Sequence, residues 1–285
     1  MALYDDPLWP RAGRWPAPVP GERAEVAIVG VPTWRTSITP GGCGETPAAV
    51  RDALQRYSLE TRLRIVDVGD IADPDSSPEA AAAAIAAVEA DLVLALGGDN
   101  ALTVPVSRGR GAGALVTVDA HHDLRDGVSN GSPVRQLLED GMPGTRIAQL
   151  GIEPLANSRA YRARADAAGI AIVERQELVE IPLGRAMSAA LSAVGRDGAR
   201  VHVDLDVDAC DRAVAPGCPA SVPGGISALE LRSAAFAAGA HPSVVSIDFA
   251  EVDAGLDAAD GRTVRLVALC VLEAIRGFES RSTLG

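Results

Sequence analysis

The chain contains no lysine. All 26 of its basic residues are arginine, and they stand against 38 acidic residues, which gives a formal net charge of −12. The absence of lysine excludes mechanisms that need a lysine Schiff base or the lysine of a phosphate-binding loop. The acidic balance argues against a nucleic-acid binder, which needs a cationic surface to neutralise phosphates, and against docking on an anionic membrane.

Long apolar runs and paired cysteines are also missing. No uncharged apolar run approaches the ~18 residues of a membrane span, and residues 1–14 lack the basic and apolar regions of a signal peptide. The four cysteines form no C-x-x-C pair. We therefore expect reduced thiols in a cytoplasmic protein that binds neither nucleic acid nor membrane.

Aromatic residues make up only 3% of the chain, whereas hydrophobic residues make up 47%, so the core must be aliphatic. Short β-branched runs alternate with Ala-rich segments of helical spacing, which is typical of βαβ units around a parallel sheet. The pattern predicts strands at 25–31, 63–68, 92–96, 114–118, 146–150, 170–173, 200–205 and 244–247. It predicts helices at 46–57, 78–90, 158–168, 184–194 and 227–238.

The expected fold is α/β, with three layers and a central, mostly parallel sheet of about eight strands. The helix at 227–238 begins with a capping box, in which Ser227 and Glu230 satisfy free amides reciprocally. No repeat or linker is visible, so residues 1–285 are predicted to form one domain. Its proline-rich first part, residues 1–22, is predicted to be an irregular strap.

Acidic residues and imidazoles follow four of the predicted strands, where a parallel sheet binds its ligands. They are Asp99 with Asn100, then Asp119, His121 and Asp123, then Asp206 and Asp208, and last Glu251. Asp204, Asp206 and Asp208 are expected to share one face of their strand, so alternation does not choose between them. Burying unpaired carboxylates costs several kcal/mol each, and no arginine lies inside these segments. A divalent cation such as Mn²⁺ or Mg²⁺ is the expected counter-charge.

The same segments resemble the motifs of the ureohydrolase (arginase/agmatinase) family. Residues 97–100, Gly-Gly-Asp-Asn, are similar to that family's Gly-Gly-Asp-His, and residues 119–123 match its Asp-Ala-His-x-Asp in full. Asp206, Asp208 and Asp211, with Pro216 after them, match its Asp-x-Asp-x-x-Asp and following Pro. Glu251 resembles the family's C-terminal Glu. The resemblance covers roughly residues 24–280 and implies an arginase-like αβα fold.

The resemblance also implies a site with two Mn²⁺ per subunit. Its metal ligands would be Asn100, Asp119, His121, Asp123, Asp206 and Asp208. Asn100 stands where most of the family has a histidine ligand, so we expect one of the two metals to bind weakly. Asp123 and Glu251 are implied as the catalytic residues: Asp123 moves a proton during attack by a hydroxide that bridges the metals, and Glu251 pairs with the cationic substrate.

Within the family, the sequence most resembles the formimidoylglutamase branch. Three segments carry that likeness: residues 215–225, residues 151–158 and residues 37–51. This branch implies a hydrolase of non-peptide C–N bonds in linear amidines that converts N-formimidoyl-L-glutamate and water to L-glutamate and formamide in histidine degradation. Asn130, Arg135, Asn157 and Glu251 are the expected substrate-binding residues. Asn130 stands where arginase and agmatinase relatives carry a histidine.

Two alternatives remain open at this point. The first is an agmatinase- or guanidinobutyrase-type enzyme that hydrolyses a guanidino substrate and releases urea. The second is a metal-poor, non-catalytic binding relative, which Asn100 keeps open. The family also implies a homo-oligomer, although the sequence does not fix the number of subunits.

Overall fold

A computed structural model describes residues 6–281 of the chain. It contains eight strands: β1 (Ala24–Val31), β2 (Ile65–Asp70), β3 (Ala90–Gly97), β4 (Ala114–Val118), β5 (Ile147–Ile152), β6 (Ala171–Glu174), β7 (Val201–Asp206) and β8 (Val244–Ala250). They form one sheet in the order β2-β1-β3-β8-β7-β4-β5-β6. Every neighbouring pair is parallel, so the predicted α/β fold with about eight strands is confirmed.

Helices cover both faces of the sheet. They are α1 (Thr46–Leu54), α2 (Pro78–Ala86), α3 (Thr103–Gly109), α4 (Pro133–Glu139), α5 (Arg159–Ala168), α6 (Leu183–Val194), α7 (Ala228–Ala240) and α8 (Arg262–Ser280). Helices α1, α6, α7 and α8 share one large apolar cluster with the sheet, whereas α2 to α5 pack on the opposite face. Side chains that alternate along each strand supply both layers: Ile28 joins the first layer and Val29 the second.

The second face has a polar break at its centre. Two separate apolar clusters lie there, one beside α2 and α3 and the other beside α4 and α5. Between them, β4, β7 and β8 carry buried polar side chains instead of aliphatic ones: Thr117, His202, Asp204, Ser246 and Asp248. The sheet therefore gives up apolar packing on the three strands that lead to the acidic segments.

The helices differ in part from the sequence prediction, whereas a predicted helix start is confirmed. The helix predicted to reach Ala90 ends at Ala86, because Ala90 begins β3 and pairs with Ala24 of β1. Helices α3, α4 and α8 were not among the predicted helices; α3 and α4 have only seven residues each, whereas α8 has 19. The capping box at the start of α7 is confirmed, with Ser227 Oγ accepting from the Glu230 amide at 3.2 Å.

The predicted strap, residues 1–22, begins outside the described part of the chain, since residues 1–5 are not described. Its described residues belong to no helix or named strand, as expected, and make one isolated bridge between Arg11 and Ser58. The amide of Asp67 donates to the carbonyl of Pro16 at 2.9 Å, so the strap covers part of edge strand β2. Within the described residues, no helix has the length and apolar character that crossing a membrane requires.

Candidate active site

A cavity of about 340 Å³ opens at the carboxyl ends of the central strands. It is lined by most of the residues that the sequence singled out: His121, Asp123, Asn130, Asn157, Asp206, Asp208 and Glu251. Asp119 and Asn100 are buried beside them, each at most 1% exposed. The topology thus brings residues from four separate segments to one edge of the sheet, as the ends of parallel strands require.

Asp119, His121 and Asp208 form the tightest group. Each residue offers one atom that could bind a metal, and these three atoms lie within 4.8 Å of one another. His121 Nδ1 is 3.1 Å from Asp208 Oδ2 and 3.4 Å from Asp119 Oδ1. Asp119 Oδ1 also accepts from the His121 amide at 2.6 Å, which fixes the turn after β4.

Asp208 reaches this group because the chain leaves β7 at Asp206. A short turn, Val207–Ala209, follows the strand, and Asp206 Oδ1 accepts from the Asp208 amide at 2.8 Å. The expectation that Asp204, Asp206 and Asp208 share one strand face is therefore wrong for Asp208. Asp204 stays on the strand, where it is paired in register with Asp248 of β8, one step further from the cavity.

Asn100, Asp123 and Glu251 form a second group around the same cavity. Glu251 Oε1 accepts from the backbone amide of Asn100 at 2.7 Å, and Asn100 Nδ2 donates to Asp123 Oδ2 at 2.7 Å. Asp123 and Glu251 both have left-handed backbones, with φ of 52° and 60°. Such strain is costly for residues other than glycine and often accompanies functional positions.

The cavity holds more negative charge than it can stabilise alone. Burial raises the pKa of Glu251 to about 8 and that of Asp119 to about 6. Burial also raises the pKa of Asp123 and of Asp206 well above the ordinary value. The neighbouring Asp208 raises the pKa of His121 to about 12. All of these pKa values are raised, so each group holds a proton more tightly than usual. The group of residues therefore favours additional positive charge.

These residues fit a divalent cation. Asp119 Oδ2 and Asp208 Oδ1 are buried and have no hydrogen-bond partner among the described residues. Orphaned buried carboxylate oxygens are costly unless something charged meets them. Carboxylates with one imidazole are hard-to-borderline ligands, which suit manganese and magnesium.

A buried polar network lies behind the second group. Thr103 Oγ1 is 2.7 Å from Asn100 Oδ1 and 3.0 Å from Asp248 Oδ2, so it bridges the two side chains. Asp248 Oδ2 also lies 3.0 Å from His202 Nε2, and His202 Nδ1 lies 2.9 Å from Ser246 Oγ. No sequence motif includes Thr103 or Asp248; the signal for each is a polar residue in an otherwise apolar buried segment. His202 is fully buried on the sheet.

The four expected substrate-binding residues are placed differently. Glu251 and Asn130 meet in the cavity, where Asn130 Nδ2 donates to Glu251 Oε1 at 2.8 Å and Asn130 Oδ1 accepts from the Ile38 amide at 3.0 Å. Asn157 lines the cavity, but its amide is bonded to the backbone of residues 120, 122 and 153. The structure does not bring Arg135 into the cavity, because its guanidinium binds the carbonyls of Arg125 and Gly127 and the carboxylate of Glu139.

A parallel αβα sheet whose central strands end in an acidic, imidazole-containing cavity defines a class of protein that is suited to metal-assisted hydrolysis. Comparison with known proteins gives the particular family. The arginase-family profile matches residues 24–276, and the chain belongs to the arginase family.

Curated relatives are similar to the chain over most of its length. A formimidoylglutamase of Bacillus subtilis is 33% identical over 89% of this chain and 87% of the relative. A formimidoylglutamase of Halalkalibacterium halodurans is 30% identical over 94% and 92%. The crystal structure of formimidoylglutamase from Bacillus subtilis superposes with a TM-score of 0.88 and 29% identity, and the match covers 98% of this chain and 94% of that one.

Proposed function

We propose that this protein hydrolyses N-formimidoyl-L-glutamate to L-glutamate and formamide, with manganese as its cofactor. The observation that carries the proposal is the group formed by Asp119, His121 and Asp208, with its orphaned oxygens at the edge of the cavity. The family supports a hydrolase of C–N bonds, and the relatives named formimidoylglutamase support the choice of a linear amidine.

Asp119, His121, Asp123, Asp206 and Asp208 are the residues proposed to hold two manganese ions per chain, with Asn100 at the edge of the set. When bound, such ions supply positive charge and a water of lowered pKa. We expect one ion to bind more weakly than the other. The amide nitrogen of Asn100 faces Asp123, and its oxygen is engaged by Thr103, so neither atom is free to replace an imidazole.

Glu251 is proposed to bind and orient the substrate's amidinium. Its carboxylate is held by the Asn100 amide and by Asn130 Nδ2, so it is presented to the cavity in one orientation. A planar amidinium can form paired, charge-assisted hydrogen bonds with a carboxylate. This contact both neutralises Glu251 and holds the amidine carbon for attack.

Asp123 is proposed to move the proton. It lines the cavity beside Glu251, and Asn100 Nδ2 fixes one of its oxygens. It can accept a proton from the attacking water and deliver it to the departing nitrogen, which is general acid–base catalysis. The C–N bond to the glutamate nitrogen then breaks, the water oxygen stays on the one-carbon unit as formamide, and the amine leaves protonated.

A product assay on a panel of substrates tests the proposal. Metal-free protein, with and without added Mn²⁺, is incubated with formimidoylglutamate, agmatine and 4-guanidinobutyrate, and glutamate, formamide and urea are measured. Manganese-dependent release of equal amounts of glutamate and formamide is expected. Release of urea would identify a guanidino hydrolase instead, and no turnover of any substrate with Mn²⁺ would identify a non-catalytic relative.

We also propose that residues 1–285 form one domain and that the protein works as a cytoplasmic homo-oligomer. The single sheet from β1 to β8 supports one domain. All four cysteines are free and buried, which is consistent with a reducing compartment. Light scattering of the purified protein tests the oligomer, since a monomer at micromolar concentration would contradict it.

A further inference from the structure

Arg125 is the arginine that the cavity presents to a ligand. It lines the cavity and is exposed. Among the described residues its guanidinium has no hydrogen-bond or ion-pair partner. The other charged residues that line this cavity are His121 and four acids, Asp123, Asp206, Asp208 and Glu251. A ligand anion that enters the cavity therefore meets one arginine.

Two other arginines fix the loop that carries Arg125. Arg135 Nε donates to the carbonyl of Arg125 at 2.6 Å, and Arg164 Nη1 donates to the carbonyl of Leu124 at 2.8 Å. Acidic side chains balance both charges: Arg135 pairs with Glu139, and Arg164 pairs with Asp126. The guanidinium groups of Arg135 and Arg164 thus hold the backbone of the loop in place.

The side chain of Arg125 is also directed by Gly131. The amide of Arg125 donates to the carbonyl of Gly131 at 3.0 Å, so the two segments are joined. A Cβ built on Gly131 would lie 2.6 Å from Arg125 Cδ and 3.0 Å from Nε. The arginine therefore runs across the space that a side chain at position 131 would fill, and only glycine leaves this path open.

We propose that Arg125 binds a carboxylate of the substrate and makes the enzyme selective for amidines that carry an acidic group. The inference rests on the proposed function and adds the residue that recognises the acidic group of the substrate. A guanidinium binds a carboxylate through two parallel hydrogen bonds, which gives direction as well as charge. Because the whole chain has a net charge of −12, an anionic substrate needs such a local cation.

Replacement of Arg125 tests the inference through a specificity ratio. For wild type and Arg125→Gln, kcat/KM is measured for formimidoylglutamate and for N-propylformamidine, an amidine with an uncharged chain, at saturating Mn²⁺. We expect the ratio of the two values to fall about 10- to 100-fold in the variant, mainly through KM, as for a lost hydrogen bond to a charged group. Arg125→Lys should restore part of it, since lysine keeps the charge without the planar fork.

Arg159→Gln is the matched control. Arg159 begins α5 directly after the cavity-lining Ser158, but it does not line the cavity itself. The substitution removes the same charge from the same side of the molecule. The specificity ratio should stay at the wild-type value, which separates direct contact from long-range attraction.

Gly131→Ala provides a second variant that leaves Arg125 in the sequence. The backbone of Gly131 is not left-handed, and the added methyl meets a flexible side chain, so the protein should fold. Arg125 must move aside, and the ratio should fall in the same direction as in Arg125→Gln.

A measurement of product binding tests the role of Arg125 without relying on turnover. Calorimetry with L-glutamate should show binding to the wild-type protein and weaker binding to Arg125→Gln. If wild type hydrolyses formimidoylglutamate but the variant keeps the wild-type ratio, the role of Arg125 is wrong and the proposed function stands. If wild type does not hydrolyse formimidoylglutamate, the proposed function fails. In that case, equal glutamate binding by the two proteins, or none by wild type, overturns the inference as well.

Discussion

Single residues of this site are set by hydrogen bonds to the backbone around them. Asp119 accepts a hydrogen bond from the His121 amide, and Asp206 accepts one from the Asp208 amide. In each pair the first acid therefore shapes the turn that places the second side chain, a candidate metal ligand, in the site. This arrangement explains why motif spacing identified these residues but strand alternation did not. The motif describes a turn, whereas alternation assumes that the strand continues through Asp208.

Asp123 offers the clearest residue-scale prediction. Asp123→Asn should fold normally, because asparagine tolerates the left-handed backbone at φ 52°. It cannot accept the proton, so we expect kcat on formimidoylglutamate to fall by about 10²- to 10⁴-fold at saturating Mn²⁺. Steady-state kinetics and circular dichroism measure the two effects.

The control for this variant is Asp197→Asn. Asp197 also has a left-handed backbone, at φ 58°, but its side chain is 85% exposed and pairs with Arg146 far from the cavity. Its kcat should equal the wild-type value. Asp123→Asn with more than a tenth of wild-type kcat would contradict the proton-transfer role.

At the scale of elements, the strands were easier to predict than the short helices. All eight predicted strands are present, because runs such as 92–96 are apolar, short and bounded by turn residues. Helix α3 was missed because its sequence, TVPVSRG, holds two valines, a proline and a glycine, which are poor helix formers. Its helical state comes from packing on the sheet, where Val106 is fully buried, and packing of this kind leaves no local signal.

Helix α3 also links the site to the buried polar network through its first residue. Thr103→Val keeps the shape of the side chain but leaves Asn100 Oδ1 without its donor and removes the bridge to Asp248. We expect the free energy of unfolding to fall by about 1–3 kcal/mol, which is the usual cost of a buried polar group left unsatisfied. Urea denaturation of the metal-free protein measures it.

Thr103→Ser retains the hydroxyl and is the control for this substitution. It should lose less stability than Thr103→Val, since only a methyl group is removed. Equal stability of Thr103→Val and the wild-type protein would show that the hydroxyl does not join the two side chains.

The whole molecule gives up stability at its centre to keep the acids together. Apolar packing on the second face is divided into two clusters by the polar strands β4, β7 and β8, whereas the first face has one continuous cluster. The sequence predicted where the acids would meet, because the carboxyl ends of parallel strands lie at one edge of a sheet. It did not predict the polar break, the braced loop of Arg125 or the placement of Arg135 outside the cavity, since all three depend on contacts between distant segments.

The stability of the metal-free protein should therefore depend on pH in an unusual direction. Glu251, with its pKa raised from 4.5 to about 8, keeps a proton that the unfolded chain releases between these values. The pKa of His121 is raised from 6.5 to about 12, so above pH 6.5 this side chain also keeps a proton that the unfolded chain releases. The folded chain binds more protons than the unfolded chain, so the free energy of unfolding falls as pH rises.

Thermal unfolding at pH 5.5 and pH 8 measures this dependence. We expect a lower Tm at pH 8 in the presence of a chelator. The rise in Tm on adding Mn²⁺ should be larger at pH 8, because the ion replaces the protons. A metal-free protein whose Tm increases from pH 5.5 to pH 8 would be inconsistent with these raised pKa values.

The most direct test of the account is a count of bound manganese. Metal-free wild type and Asp208→Asn are titrated with Mn²⁺, and free ion is followed by electron paramagnetic resonance. For wild type we predict two ions per chain, the second bound more weakly than the first, and for Asp208→Asn a loss of affinity. Absence of saturable binding to the wild-type protein, or an unchanged titration in Asp208→Asn, would contradict the claim that these buried acids are held together by shared cations.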